Sequence, residues 1–178
     1  MRMLVGYASA HGSTAEIAHR IAVALQLAGW AVDVKAVREI ADPGAYDAVV
    51  LGSAIHNQTW LPEATEFVRR HQDVLRERPV WFFSVGMSGG LPRPLRKPAR
   101  AAQDRTLAEA LRDVVRPRGH RVFSGAAWQD QFPRSSRMLV RAMGIRFGDY
   151  RDWSEIDAWA VDIAEQLARG TSEATGRS

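Results

Sequence analysis

Cysteine is absent from the 178-residue sequence, and lysine occurs only at Lys35 and Lys97. Without cysteine the chain can form neither disulfides nor thiolate–metal bonds, which excludes zinc fingers and cysteine-ligated iron–sulfur clusters. The five histidines are scattered and none shows the His-x-x-x-His spacing of a zinc site, so we expect no metal. A Ser–His–Asp triad assembled from distant segments is compatible with the sequence.

Long hydrophobic runs are also absent. Unbroken apolar segments contain no more than six residues, whereas a helix needs about 20 to cross a bilayer. Met1 is followed by a strand-like segment rather than by the apolar region of a secretory signal. We therefore predict a cytoplasmic protein.

The net charge of +4 is distributed unevenly along the chain. Residues 1–86 carry 8 basic and 9 acidic side chains, residues 87–151 carry 14 and 5, and residues 152–178 carry 2 and 6. The central block, at +9, is a candidate surface for an anionic partner. The alternative is a solvated surface in an arginine-rich proteome.

Five short apolar segments alternate with segments of helical periodicity. One helix is expected from Ala15, with Gly29 just past its end, and a second from Leu61 to Arg70. A third is expected over residues 107–114, and a last one near the carboxyl terminus is capped by Ser154. Residues 91–103 hold three prolines and predict a long irregular excursion. The strands are expected at residues 3–8, 31–37, 47–52, 79–85 and 120–126.

This alternation predicts one α/β domain over residues 1–169 and a disordered tail at 170–178. The expected architecture has three layers around a doubly wound, five-stranded parallel sheet of order 2-1-3-4-5, with a long basic insertion after strand 4. Ligands of such sheets bind beyond the carboxyl ends of the strands. The loops of interest are 9–14, 53–60 and 84–90.

Loop 9–14 is rich in hydroxyls and leads from a strand into a helix. Backbone N–H groups at a helix N-terminus bind phosphate without a lysine. The loop matches neither the Walker pattern nor the dinucleotide fingerprint, and a single phosphate monoester suits it better. The alternative interpretation makes Ser13 and Thr14 ordinary helix caps.

The other two loops offer features that suit a flat ligand. Trp60 could stack on a planar ring, or it could pack beneath the following helix. Gly86, Gly89 and Gly90 allow the backbone to approach a ring closely. His11 and His56 are expected at strand ends, where loop filling is a more common role than base catalysis.

Residues Ser9–Thr14 resemble the phosphate loop of flavodoxins, which holds the ribityl phosphate of FMN. The similarity extends along nearly the whole chain, to about Leu167. The chain resembles the flavodoxin-type, menaquinone-dependent protoporphyrinogen IX oxidases in several segments. These are the basic insertion and residues 46–55, 66–71, 124–126, 137–140 and 152–153. That family carries tyrosine and glycine where this chain has Asn57 and Gln58.

The resemblance implies FMN as the cofactor, and because the flavin carries the chemistry no protein side chain is predicted to be catalytic. The implied FMN-binding residues are Ser9, Ala10, His11, Gly12, Ser13, Thr14, Ser53, Ala54, Ile55, His56, Asn57, Gln58, Thr59, Trp60, Ser84, Val85, Gly86, Met87 and Ser88.

The resemblance also implies a porphyrinogen-like substrate and a quinone as electron acceptor. Guanidinium groups pair carboxylates in bidentate fashion, so the basic block suits the substrate's propionates. The candidates are Arg93, Arg96, Lys97, Arg134 and Arg137, with Arg100 and Arg141 nearby. A short basic amphipathic helix over residues 137–146 could touch the inner face of the membrane, although a helix that packs in the core is more common. We expect no nucleic-acid partner.

Two other functions fit the same fold. A flavodoxin-type electron carrier would have no substrate of its own, but such carriers are typically acidic, and the basic block argues against one. A flavin-free binding module would use the basic face alone. The oligomeric state is left open by the sequence.

Overall fold

Five parallel strands form the centre of the fold in a computed structural model that describes residues 1–112, 114–128 and 147–175. The strands lie in the order β2-β1-β3-β5-β6, which confirms the predicted doubly wound topology. The long strands are β1 (Arg2–Ala8), β2 (Ala31–Ala36), β3 (Ala48–His56), β5 (Val80–Gly86) and β6 (Gly119–Ser124). Three short ones are β4 (Thr59–Trp60), β7 (Ala126–Ala127) and β8 (Gly148–Asp149).

Helices cover both faces of this sheet. They are α1 (Ser13–Leu27), α2 (Pro62–Arg70), α3 (Gln72–Arg76), α4 (Arg93–Arg112) and α5 (Trp153–Thr175). The core under α1 and α5 includes Ile17, Ile21, Phe83 and Ile163, all inaccessible to solvent. Burial of each such side chain stabilises the fold by roughly 1.5–3 kcal/mol.

The second core lies on the opposite face, beneath α2 and α3. Leu4, Val49 and Leu51 of the sheet pack there against Phe67 and Leu75 of the two helices. Central strands β3 and β5 are buried on both faces, which explains their continuous apolar sequence. Strand β2 is an edge, as its sequence predicts, and its four central residues are half-buried.

The end of α1 confirms the predicted role of Gly29. This glycine has φ +94°, and its N–H donates to the carbonyl of Gln26 at 2.9 Å. The Trp30 N–H donates to the carbonyl of Leu25 at 3.2 Å. This pair of bonds is the Schellman motif, which requires the left-handed conformation that glycine adopts readily.

The irregular excursion predicted for residues 91–103 is wrong, because α4 begins at Arg93. Pro94 lies in its first turn, where an N–H would have no intrahelical acceptor and its absence has no cost. Pro98 does lie inside the helix and removes one intrahelical bond. The basic insertion, predicted to follow the fourth strand of the sheet (β5 in the structure), is therefore helical at its start.

Two predictions about the last helix are also corrected. Asp152, not Ser154, caps α5: its Oδ1 accepts the Glu155 N–H at 3.1 Å and the Ser154 hydroxyl at 2.6 Å. The disordered tail predicted for 170–178 is wrong in its first part, since α5 extends to Thr175. Residues 176–178 lie outside the described part of the chain.

Within the described ranges, no helix combines the length and the apolar character needed to cross a membrane. The same ranges hold no cluster of three or more His, Asp or Glu side chains that could bind a metal ion.

We predict that Gly52→Ala destabilises the protein by roughly 1–3 kcal/mol, the usual cost of overpacking. A Cβ at this position would lie 2.0 Å from Cζ of Phe83, in the buried centre of the sheet. Urea unfolding measures the effect. In Gly170→Ala, the control, the nearest atom would be 3.9 Å away and helix propensity should improve; equal stability of the two variants would contradict this packing.

Candidate functional site

A cavity of about 290 Å³ opens at the carboxyl edge of the sheet, where β1, β3, β5 and β6 end. Doubly wound sheets bind their ligands at this position. All three loops predicted from the sequence contribute, together with the segment after β6. The lining residues are Ser9, Ala10, His11, Ser13, Thr14, Ala54, Ile55, His56, Leu61, Val85, Gly86, Met87, Gly125 and Ala126.

The first turn of α1 borders the cavity without a side-chain cap. Its N-cap is Gly12, with φ +89° and no capping hydrogen bond. Ser13 and Thr14 lie inside the first turn, so the interpretation that makes them ordinary caps is wrong. The first N–H groups of a helix lack intrahelical acceptors and carry partial positive charge, which suits a phosphate.

Two serine hydroxyls at this turn are held in place by backbone donors. Ser9 Oγ accepts the Gly12 N–H at 3.0 Å, and Ser13 Oγ accepts the Ala126 N–H at 3.0 Å. Because each oxygen accepts a backbone hydrogen, each hydroxyl has its own hydrogen to donate to a ligand. The turn therefore presents oriented donors suited to an anion.

The remaining walls of the cavity are mostly apolar and closely spaced. Ile55, Leu61 and Met87 contribute side chains to them. A Cβ on Gly125 would lie 2.8 Å from Cγ1 of Val85 and 3.0 Å from the Ser13 hydroxyl oxygen, so a side chain there would crowd the wall. Such walls suit a flat aromatic ring.

A two-residue hairpin between β3 and β4 borders the cavity. Ile55 pairs with Trp60, and His56 pairs with Thr59. The turn residues Asn57 and Gln58 have φ of 49° and 63°, the left-handed values of a type I′ turn. Asparagine tolerates this conformation better than most residues, and glutamine less well.

Three predicted cofactor-binding side chains lie in the core instead. Trp60 is 4% exposed and packs edge-on against Phe82, the arrangement that the packing interpretation expects. Ser53 and Ser84 are completely buried; the Ser53 hydroxyl accepts the Leu61 N–H at 3.0 Å.

Other predicted cofactor-binding residues stand outside the cavity lining. Ser88 is 3% exposed and begins a short 3₁₀ turn, Ser88–Gly90. The residues predicted but absent from the lining are Gly12, Ser53, Asn57, Gln58, Thr59, Trp60, Ser84 and Ser88. Sequence reasoning missed Leu61, Gly125 and Ala126; the last two follow β6, and the rule about strand ends would have included that loop.

None of the predicted substrate-binding cations that the structure describes lines the cavity. Arg96 donates to the Leu91 carbonyl at 2.8 Å and lies over the ring of Tyr150. Arg100 forms an ion pair with Glu155. Arg93 and Lys97 are exposed on α4, while Arg134, Arg137 and Arg141 lie outside the described residues.

Arg151, which the sequence did not single out, joins β8 to the first turn of α1. Its side chain is 9% exposed and contacts Glu16 at 2.5 Å and Asp149 at 2.6 Å. The guanidinium also lies 4.6 Å from the ring centre of Trp153. The bond from Arg151 lowers the pKa of Asp149, and the same bond raises the pKa of Arg151.

Comparison with protein families gives a match between residues 4–151 and the flavodoxin domain. The chain belongs to the flavodoxin family. A curated relative is the protoporphyrinogen IX dehydrogenase [quinone] of Escherichia coli K12. The two sequences are 28% identical over an alignment of 189 positions, which covers 96% of this chain and 99% of the relative.

Solved flavodoxins share the fold of this flavodoxin domain. A cysteine-to-serine mutant of the Pseudomonas aeruginosa flavodoxin superposes with a TM-score of 0.61 at 12% identity. A flavodoxin from the domain Archaea gives 0.58 at 15% identity. Each comparison covers 94% of this chain and 99% of the other.

FMN is the cofactor of this family, and the cavity's residues fit it. The uncapped first turn of α1, with Ser9 and Ser13, suits the phosphate monoester. The apolar walls suit the ring system. None of the described lining residues is lysine or arginine, so a phosphate bound here would be held by N–H and O–H donors.

We predict that Ser13→Ala weakens FMN binding at least about tenfold but leaves riboflavin binding nearly unchanged. A hydrogen bond to a charged group contributes roughly 1.5–3 kcal/mol, and riboflavin has no phosphate to accept it. Quenching of flavin fluorescence measures both affinities. Thr65→Ala, on α2 outside the lining, is the control; an equal loss for both flavins would place the phosphate elsewhere.

We predict that stability falls as the pH is lowered below about 4. The pKa of Asp149 is lowered in the folded state, so its contribution is present above the unfolded value of about 3.9 and is lost as pH falls through the folded value. Asp149→Asn should be less stable at pH 7 and lose less on acidification. Urea midpoints at pH 7 and 3 test this, with Asp73→Asn, 89% exposed, as control.

Proposed function

We propose that this flavodoxin domain is an FMN-dependent oxidoreductase that oxidises a porphyrinogen-like substrate and passes the electrons to a quinone. The observation that carries the proposal is the cluster of cations at the start of α4, the helix that follows the cavity-lining residue Met87. The relative named protoporphyrinogen IX dehydrogenase [quinone], aligned over nearly its full length, supports it.

The cations of α4 lie where a helix disfavours them. Arg93, Arg96, Lys97 and Arg100 occupy its first two turns, and its first turn contains no acidic residue. The N-terminal end of a helix carries partial positive charge, which repels cations. Only Arg100 among the four forms an ion pair within the described residues, with Glu155. An anionic ligand would relieve this repulsion, and a porphyrinogen with propionate side chains is such a ligand.

Arg93 and Lys97 are the best candidates for the carboxylates. Both are exposed, whereas Arg96 and Arg100 already hold partners in the fold. An arginine can bind a carboxylate through two parallel hydrogen bonds, and a lysine adds a point charge. These contacts would orient the substrate at the first turns of α4.

The bound flavin would supply the hydride or electron transfer itself. The chain's contribution is position and environment. The first turn of α1 would hold the phosphate end, and the apolar side chains of Ile55, Leu61 and Met87 would limit water around the ring. The hairpin residue His56 lies in the lining, where it could contact the ring or the substrate.

Turnover of protoporphyrinogen IX with menadione as acceptor, followed by porphyrin fluorescence, tests the proposal. We expect multiple turnovers that require FMN. Reduction of the bound flavin by a flavodoxin reductase without porphyrinogen oxidation would favour an electron carrier. A colourless protein that binds no added FMN, and whose retention on heparin falls steeply with salt, would favour a binding module.

The two lysines of the chain provide a matched pair for the substrate site. We predict that Lys97→Ala raises KM for protoporphyrinogen about two- to fivefold with little change in kcat, because an exposed ion pair contributes roughly 0.2–1 kcal/mol. Arg93→Ala/Lys97→Ala should raise it further. Lys35→Ala, on the edge strand β2, should leave KM unchanged. Equal changes in KM for the two lysine variants would indicate only a general charge effect and would contradict a substrate site at Lys97.

A further inference from the structure

A chain of polar contacts extends from the β3–β4 hairpin to α4. The Trp60 indole N–H donates to Ser84 Oγ at 2.7 Å, and Ser84 Oγ lies 2.8 Å from Nε2 of His120. On its other side the His120 ring places Nδ1 2.7 Å from Oδ1 of Asp104. We call these four residues the Trp60–Asp104 chain. The Asp104 side chain is 53% exposed, whereas that of His120 is 5% exposed.

The direction of these contacts follows from the chemistry of the indole. An indole N–H only donates, so Ser84 Oγ must accept it. The serine hydrogen can then be donated to Nε2 of His120, in the tautomer that carries the ring hydrogen on Nδ1, on the side of the Asp104 carboxylate. Each group in the sequence indole, hydroxyl, imidazole and carboxylate then has a compatible role.

The spacing of Ser84, His120 and Asp104 matches that of a hydrolytic triad, but the surroundings do not. Ser84 is completely buried, and Trp60 occupies its hydroxyl oxygen, so no substrate carbonyl can reach it. Ser88, in the Gly-x-Ser-x-Gly spacing of residues 86–90, lies in a 3₁₀ turn and is 3% exposed. A nucleophile requires an exposed hydroxyl on a sharp strand-to-helix turn.

Trp60 connects this chain to the wall of the cavity. Trp60 is one of the two residues of β4, and it pairs with Ile55, which lines the cavity. Ser53 and Ser84 are register neighbours on adjacent strands; the first binds the Leu61 N–H and the second binds the Trp60 indole. The returning side of the hairpin is thus held at two consecutive residues.

The hairpin needs such anchoring because it is short. β4 contains two residues, and a two-stranded hairpin of this size is at best marginally stable by itself. Its turn places the non-glycine residues Asn57 and Gln58 in the left-handed region. Directional hydrogen bonds to buried serines fix its position more closely than apolar packing alone.

Asp104, the exposed end of the Trp60–Asp104 chain, lies on α4, the helix that carries the basic cluster. Asp104 and Lys97 are seven residues apart on α4 and line one cleft of about 270 Å³, together with His120 and Arg121. A displacement of α4 at Asp104 would therefore change the contact that orients His120.

We propose that His120 and Asp104 are positioning residues that hold the β3–β4 hairpin against the ring of bound FMN, through Ser84 and Trp60. The proposal rests on FMN occupying the cavity. It assigns to two residues outside the cavity an effect on flavin affinity, and this effect acts on the ring rather than on the phosphate.

Four variants test separately the His120–Ser84 contact and the His120–Asp104 contact of the Trp60–Asp104 chain. In His120→Gln the side-chain amide can reach the position of Nε2 and keep the contact with Ser84. In His120→Asn the amide reaches only the position of Nδ1, so that contact is lost. Asp104→Ala removes the outer partner, and Asp104→Asn keeps an oxygen acceptor there.

Titrations with FMN and riboflavin are the measurement. We expect His120→Asn and Asp104→Ala to weaken both flavins by the same factor, about tenfold. His120→Gln and Asp104→Asn should recover much of that loss. The ¹⁵N–¹H signal of the Trp60 indole should exchange faster with solvent in His120→Asn.

The control is His71→Asn, because the ring of His71 packs on Phe67. Urea unfolding gives the folded fraction of every variant. Wild-type affinity for both flavins in folded His120→Asn and Asp104→Ala would overturn the proposal, whatever the change in stability. A loss confined to FMN would also overturn it. Wild-type protein that binds neither flavin would overturn the cofactor assignment itself.

Discussion

The uncapped first turn of α1 is the constraint around which the carboxyl edge of the sheet is built. Its free N–H groups favour a negative charge from outside the chain, since the N-cap residue Gly12 has no side chain to supply one. The surroundings fix this turn rather than satisfy it. Ser13 is tied to Ala126, and Glu16 is tied to Arg151. A phosphate at this position would therefore stabilise the junction between β1, α1 and the segment after β6.

The described residues offer two candidate sites for anions, and the two differ in chemistry. The cavity lining uses neutral donors and no arginine or lysine, which suits a phosphate monoester buried beside apolar walls. The cations are instead concentrated on α4, where Arg93 and Lys97 face solvent. Exposed cations attract carboxylates at longer range but bind each one weakly. This division permits a second anionic molecule to approach without competing for the phosphate position.

Strand order and the location of the cavity could be predicted because they depend on hydrophobic periodicity and on the rule that ligands bind at strand ends. The side-chain directions of Ser53 and Ser84 could not. Both lie in strands that are buried on both faces, and a continuous apolar run has no alternation to show which face each residue occupies. The roles of Trp60 and Ser84 followed from tertiary packing alone.

Local chemistry explains two other differences from the sequence prediction. Proline counts suggested a loop where α4 begins, but Pro94 occupies a first-turn position at which proline is compatible with a helix. Asp152 and Ser154 are both suitable caps, and only the geometry shows that the carboxylate accepts the backbone N–H. Motif spacing can thus locate an element to within a turn without choosing among neighbouring polar residues.

The Trp60–Asp104 chain shows why a flavin site can depend on residues beyond its lining. Buried polar groups lose solvation on folding, and that loss is offset only when each finds a partner. Apolar side chains at Ser84 and His120 could fill the same space, but they would leave the Trp60 indole N–H unsatisfied and the hairpin free to shift. Because Asp104 belongs to α4, a ligand that moves this helix changes the contact at His120. If that contact affects flavin affinity as proposed, thermodynamic linkage requires that flavin binding also alters the affinity of α4 for that ligand.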